Sequence, residues 1–90
     1  MDAAEKLLER MRRTKEGWGQ KDFETLYLGF GFEYREGRDR VYIHRKYRHL
    51  RAIVARHNQL ATGYATTAVR LIDELKRLEV EDERRSEKTE

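Results

Sequence analysis

Apolar residues recur at the spacing of an amphipathic helix in three parts of this chain. The pattern predicts helices over residues 2–14 and 20–28, and a third helix that Thr62 can cap and that runs to Leu78. Each of these segments is apolar on one face and charged on the other, as a helix on a protein surface requires. Past Leu78 the apolar pattern stops, so residues 80–90 form either a fraying helical extension or a disordered charged tail.

Between the second and third helices the apolar positions alternate with polar ones, which is the period of a β-strand. Residues 32–36, 40–45 and 49–55 are predicted to form three antiparallel strands, with Gly37 in the first turn. Such a sheet must cover its apolar face with helices, while its other face meets water. The predicted fold class is therefore α+β, a two-layer αβββα arrangement with an extra N-terminal helix.

The middle strand determines which side chains are available for function. Its sequence is Arg40-Val41-Tyr42-Ile43-His44, so successive side chains point to opposite faces. We expect the β-branched residues Val41 and Ile43 to point into the core. Arg40, Tyr42 and His44 would then project together from the exposed face.

Length and composition exclude several classes of protein. Ninety residues support one domain with a small core and leave no room for a separate cofactor-binding unit. The chain has no cysteine, which excludes disulfides and thiol nucleophiles. No segment approaches the roughly 20 apolar residues of a membrane span, so we expect a cytoplasmic protein without cofactor or membrane contact. Charged residues reach 41% and Asn and Gln are scarce, which favours a thermophilic source.

Basic residues are concentrated between positions 34 and 58, where only two carboxylates occur. This stretch holds eight arginines and lysines: Arg35, Arg38, Arg40, Arg45, Lys46, Arg48, Arg51 and Arg56. Arginine suits bidentate contacts with phosphate, and interleaved tyrosines can stack on exposed bases. The pattern is that of an RNA-binding surface, although a run of charge is also typical of a face that is merely solvated.

Short motifs in a fixed order resemble the HicA family of small toxins: Gly29-Phe30-Gly31-Phe32, Gly37-x-x-Arg40-Val41-Tyr42-Ile43-His44 and Val54-Ala55-Arg56-His57-Asn58. The resemblance covers residues 22–78 and implies a fold similar to the double-stranded RNA-binding domain. Members of that family are messenger-RNA interferases, each paired with a HicB antitoxin that covers the active surface. The resemblance therefore implies a toxin of a type II toxin–antitoxin system, with RNA and a HicB-like antitoxin protein as its partners.

One departure from the family pattern concerns catalysis. The usual turn reads Gly-Ser-His and its histidine is catalytic, whereas this chain has Gly37-Arg38-Asp39, so Asp39 occupies the catalytic place. Metal-independent RNA cleavage needs a base, an acid and cations around the phosphate. Histidine suits the first two roles, and His44 and His57 match histidines common in the family. Strand pairing could bring these two to one rim of the sheet, or each could serve only to hold the backbone.

The candidate catalytic residues are therefore His44, His57 and Asp39, for a possible metal-independent endoribonuclease. The candidate RNA-binding residues are Arg38, Arg40, Tyr42, Arg45, Lys46, Arg51 and Arg56. The spacing of the three histidines fits no metal site. Three functions remain open: an RNA-cleaving toxin, a non-catalytic RNA-binding or ribosome-associated module that uses the same surface, and a protein whose basic face docks an acidic partner. The corresponding division of the chain is an N-terminal helix and linker over residues 1–19, an RNA-binding domain over 20–79 and a charged tail over 80–90.

Overall fold

The computed structural model describes residues 2–88, in the predicted order of two helices, three strands and a helix. The elements are α1 (Ala3–Arg13), α2 (Gln20–Gly29), β1 (Phe32–Arg35), β2 (Arg40–His44), β3 (Arg51–Val54) and α3 (Thr62–Lys88). The predicted α+β fold, with helices packed on a three-stranded antiparallel sheet, is confirmed. Met1 and the last two residues of the predicted charged tail lie outside the described residues.

Local sequence determines where the first two helices begin and where the second ends. The Asp2 side chain accepts a hydrogen bond from the Glu5 backbone N–H at 2.9 Å and so caps α1. The Asp22 carboxylate accepts from the Gly19 N–H at 2.9 Å, which ties the first turn of α2 to the residue before it. Gly31 has a left-handed φ of +90°, a conformation that suits glycine, and it turns the chain from α2 directly into β1.

The strands pair in sequence order, with β2 in the centre. Phe32 lies opposite His44, and Tyr34 lies opposite Tyr42, which in turn lies opposite Ala52 of β3. These residues share the face that meets the helices, here called the inner face. The opposite, outer face carries Glu33, Arg35, Val41, Ile43, Arg51 and Ile53.

The predicted assignment of the two faces of β2 is wrong. Tyr42 is fully buried and His44 is 6% exposed, both on the inner face, whereas Val41 lies on the outer face and is half-buried. Ile43 is buried as expected, but it lies on the outer face and outside the connected core. Aromatic packing accounts for the inversion, because the Tyr42 ring stacks on Tyr27 of α2 with 4.7 Å between centroids. Burying a large ring stabilises the core more than burying a valine would.

The N-terminal helix is part of the same core as the sheet. Met11 of α1 is fully buried, and α1 approaches α2 so closely that a Cβ added at Gly29 would lie 2.3 Å from Ala4 Cβ. Trp18 follows α1, is 8% exposed and donates its indole N–H to the Thr14 carbonyl at 2.7 Å. Trp18 therefore docks the end of the first helix onto the core.

Helix α3 is longer than the core that it covers. It has 27 residues, a length of about 40 Å, yet its last fully buried side chain is Leu75. Beyond the half-buried Leu78 the helix continues to Lys88, so the described part of the charged tail is a helical extension. Within residues 2–88, no helix is both long enough and apolar enough to cross a membrane.

Ion pairs join the first helix to the last. The Arg12 guanidinium donates two hydrogen bonds to the Asp73 carboxylate, at 3.1 and 2.5 Å. These bonds hold the pKa of Asp73 below its usual value. One turn further along, the Lys76 ammonium lies 3.2 Å from the Glu5 carboxylate. The two contacts close the helix layer between residues that are far apart in the sequence.

Candidate nucleic-acid interface

His44 is held by the backbone at both ring nitrogens. Its Nε2 lies 3.1 Å from the Phe30 carbonyl oxygen, and its Nδ1 accepts from the N–H groups of Lys46 and Tyr47, each at 3.1 Å. Because Nδ1 faces two donors, these hydrogen bonds assign the single ring proton to Nε2. Burial lowers the pKa of His44, which keeps the ring neutral. Neither nitrogen is left to transfer a proton to a substrate.

His57 lies at the opposite end of the sheet from His44. Val54, the last residue of β3, pairs with Arg40 at the start of β2, whereas His44 is the last residue of β2. At about 3.3 Å per strand residue, Arg40 and His44 are about 13 Å apart along the strand. The two histidines therefore do not share a rim. Asp39 precedes Arg40 in the chain and lies at the same end as His57.

Two arginines predicted to bind phosphate are instead held by carboxylates at that end. Arg40 donates to Glu24 of α2 at 3.0 Å and to Glu36 of the β1–β2 turn at 2.6 Å, and its side chain is only 13% exposed. Arg56 also donates to Glu36, and it donates to the Gly37 carbonyl at 2.8 Å. These arginines fasten the β1–β2 turn to the rest of the sheet.

The Lys46 side chain is 66% exposed and extends toward the end of α3. Its ammonium lies 3.1 Å from the Asp82 carboxylate, to which the Tyr47 hydroxyl also donates a hydrogen bond. The bond from Tyr47, and then that from Lys46, hold the pKa of Asp82 below its usual value. Glu79 and Glu83 line the same cleft, so this side of the β2–β3 loop has an acidic neighbour.

Three of the seven predicted RNA-binding residues are exposed without a side-chain partner among residues 2–88: Arg38, Arg45 and Arg51. Arg35 is exposed and unpaired in the same way. Tyr42, by contrast, is buried beneath the helices and is not available to stack on a base. Arg35 and Arg51 lie on the outer face, Arg38 lies in the turn before β2, and Arg45 follows directly after β2.

These arginines surround an apolar strip. Val41 pairs with Arg35 on one side and with Ile53 on the other, and the Ile53 side chain is 61% exposed. Glu33, the one carboxylate on the outer face as defined above, pairs with Arg48 at 3.2 Å. The face therefore presents net positive charge around exposed hydrocarbon, and no helix of the described chain covers it.

Arg35 belongs to the basic stretch noted in the sequence but not to the named RNA-binding candidates, and Ile53 was not singled out, although the sequence carries a signal for both. In β1 the charged residues Glu33 and Arg35 alternate with Phe32 and Tyr34, which identifies the face of β1 that meets water. If the same alternation of side chains between the two faces is continued through the predicted hairpins, Arg35 and Ile53 fall on the same exposed face.

Comparison of the chain with protein-family models, with curated proteins and with solved structures finds no match. The HicA resemblance accordingly remains a prediction from short motifs. Among the described residues, no group of three or more histidine, aspartate or glutamate side chains is arranged to hold a metal ion. What this interface offers chemically is phosphate contact through arginine, beside an apolar surface.

Proposed function

We propose that this chain is a HicA-like RNA-binding protein that holds RNA against the outer face of its sheet. The observation that carries the proposal is the set of four unpaired arginines around the exposed Ile53: Arg35, Arg38, Arg45 and Arg51. An unpaired guanidinium needs no carboxylate to be displaced before it binds a phosphate bidentately. The neighbouring Arg40 and Arg56 would have to break contacts with Glu36 first, so they position the turn instead.

Recognition on this face depends on the RNA backbone more than on base sequence. Phosphate contacts fix position and orientation without reading bases. The apolar strip of Val41 and Ile53 offers van der Waals contact to sugars, and the outer face carries no aromatic ring for stacking. We therefore expect slight sequence preference and steep salt dependence.

The resemblance to HicA toxins supplies the biological setting of the proposal. It places the protein in the cytoplasm, where it meets messenger RNA, and gives it a HicB-like antitoxin as a partner that would cover the outer face. Expression without that partner should then slow the growth of a bacterial host. Expression of a variant lacking Arg35 and Arg51 should not, if the two arginines bind the RNA.

RNA binding is tested with a double variant and a charge-matched control. Arg35→Gln with Arg51→Gln removes two cations from the outer face, and Arg13→Gln with Lys21→Gln removes two exposed cations from the helices. In fluorescence anisotropy with a labelled stem-loop RNA, the first pair should reduce the slope of log affinity against log salt by about 1.4 to 1.8, from two lost phosphate contacts. The helix pair should leave it unchanged, and equal slopes in both variants would overturn the proposal.

Cleavage is a second candidate function, with a different centre from the predicted pair of histidines. Asp39, the unpaired Arg38 and the exposed His57 lie at one end of the sheet, so a base and a cation are available there without His44. RNA incubated with the protein and a chelator, then run on a denaturing gel, tests this candidate. Metal-independent cuts that disappear in His57→Ala would establish a nuclease, and shifted but intact RNA on a native gel would establish a binder.

A further inference from the structure

The outer edge of β3 carries backbone groups that no described residue pairs. Hydrogen-bonded positions alternate along an antiparallel strand. The His44 N–H donates to the Leu50 carbonyl at 3.0 Å, so Leu50 and Ala52 direct their backbone groups toward β2. By the same alternation, Arg51 and Ile53 direct their N–H and C=O groups away from the sheet, and no backbone hydrogen bond from outside the strands reaches them within residues 2–88.

An apolar groove runs beside this edge. It has a volume of about 310 Å³ and lies between β3 and the first turns of α3. Ile53 borders it from the outer face and Val54 from the inner face, while Tyr64 and Gly63 form the side made by α3. A Cβ placed on Gly63 would meet no atom within 4 Å, so the groove is open there.

An unpaired strand edge beside an apolar groove has the two features by which proteins capture an extended segment. The segment adds a strand through main-chain hydrogen bonds, and every second side chain enters the groove. Soluble proteins usually protect such an edge with charge, proline or a covering element. Here the central residue of the edge is Ile53, 61% exposed, which is the least protected kind of edge residue.

The charge around the β3 edge determines which kind of segment can bind there. No aspartate or glutamate occurs anywhere between Asp39 and Asp73, a stretch that contains all of β2, β3 and the start of α3. Arg51 on the edge is unpaired, and Arg70 is exposed on the part of α3 that follows the groove. Antiparallel pairing with β3 of a second copy would therefore bring positive charge against positive charge, which disfavours a homodimer at this edge.

We propose that the β3 edge and its groove bind an extended, acidic, β-branched segment of a partner protein as a fourth strand. Its main chain pairs with Arg51 and Ile53, its apolar side chains fill the groove between Val54 and Tyr64, and its carboxylates face Arg51. The inference does not depend on RNA binding by the outer face. A strand at the edge leaves Arg35 and Arg38 uncovered at the far side of the sheet.

The probe is a short fluorescent peptide in which valine alternates with glutamate, with the same peptide carrying lysine for glutamate as its counterpart. Gly63→Leu adds a large apolar side chain to the wall of the groove, at a position in open space, and Gly63→Ala is its matched control. Neither variant meets a neighbouring atom at Cβ, and both raise helix propensity, so both should fold. Anisotropy measures the affinity, and amide hydrogen exchange identifies the site.

We expect the acidic peptide to bind, the lysine peptide not to bind, and the Arg51 and Ile53 amides to become protected. Gly63→Leu should weaken binding by about tenfold, the factor that corresponds to the lost burial of one aliphatic side chain, and Gly63→Ala should not. Failure of the acidic peptide to bind, equal binding of both peptides, or binding that Gly63→Leu leaves intact would overturn the proposal. The proposal would also be overturned if the Arg51 and Ile53 amides were already protected without peptide because the protein dimerises. It would be overturned as well if RNA protected these amides and Gly63→Leu abolished that protection.

Discussion

Mild acid should destabilise this protein through His44. The Nδ1 atom accepts from two backbone N–H groups, so a proton added there would point at two donors. Burial lowers the pKa of His44 in the folded state below the ordinary value of 6.5. The hydrogen bond to the Phe30 carbonyl and the charge of Glu79 oppose this shift, and Lys46 adds a smaller effect in the same direction as burial. Because the unfolded chain then binds the proton first, the free energy of unfolding falls as the pH drops below the unfolded pKa, and it stops falling below the folded pKa.

The size of the effect follows from linkage. One proton bound by the unfolded state alone changes the free energy of unfolding by at most about 1.4 kcal/mol per pH unit. Between about pH 7.5 and about pH 5.5 the loss is at most about 1.4 kcal/mol, since only the interval below the unfolded pKa of His44 contributes. In a domain of this size each 1 kcal/mol of that loss lowers the Tm by about 4 to 8 °C.

Urea denaturation followed by Trp18 fluorescence measures this, because Trp18 is the single tryptophan and is buried. His44→Asn keeps an oxygen that can accept from the two N–H groups but cannot titrate, and it loses the bond to Phe30. It should be less stable than the parent by about 2 kcal/mol and should lose the acid dependence attributed to His44. His49→Gln and His57→Gln remove exposed histidines and should retain that dependence. The reasoning is refuted if His44→Asn shows the same acid loss as the parent.

Two further predictions concern the close approach of Gly19 to the Asn58 backbone and the acidic end of α3. Gly19→Ala should lower the free energy of unfolding by about 2 kcal/mol, because its Cβ would lie 2.2 Å from the Asn58 carbonyl oxygen. Gly63→Ala, in open space, should raise it by about 0.5 kcal/mol, and equal effects in urea titrations would contradict this packing argument. Asp82→Asn should strengthen RNA binding about twofold to threefold by releasing Lys46 from an exposed ion pair. Unchanged affinity in an anisotropy assay would show that Lys46 does not reach the RNA.

The order and type of the elements were predictable because helical and strand periods differ along this chain. The ends of the elements were less predictable. Strand β3 begins at Arg51 rather than His49, because the Leu50 N–H donates to the Tyr47 carbonyl at 2.9 Å and forms a turn there. The prediction of α3 stopped at Leu78 because burial stops there, but the helix itself continues through local ion pairs such as Arg77 with Glu81 at 2.6 Å.

The faces of the sheet were mispredicted because β2 carries bulky residues on both sides. Taken alone, Val41 and Ile43 are as plausible in a core as Tyr42, and β-branched residues suit a strand on either face. What decides is the partner layer, since α2 presents Tyr27 to the inner face. Such a contact depends on tertiary structure, which the period of one strand does not reveal.

The sequence likewise could not show which arginines are free to bind phosphate. Arg40 and Arg51 look equivalent in the chain, yet the fold brings Glu24 and Glu36 to the first and no carboxylate of the described residues to the second. Arg40 and Glu24 are 16 positions apart and lie in different elements, so their pairing follows from the docking of α2. Composition therefore predicted that the protein has a basic surface, but not which arginines on that surface are free of carboxylate partners.

The contact between α1 and α3 also bears on how the chain acquires its structure during synthesis. Arg12 finds its partner 61 positions later, and Glu5 finds its partner 71 positions later. In a growing chain α1 can pack against α2, but it has no α3 to pack against until nearly the whole domain has been made. Contacts of such long separation slow folding, because the chain must close a large loop before they form. We therefore expect the contacts between α1 and α3 to form only after translation has passed Lys76.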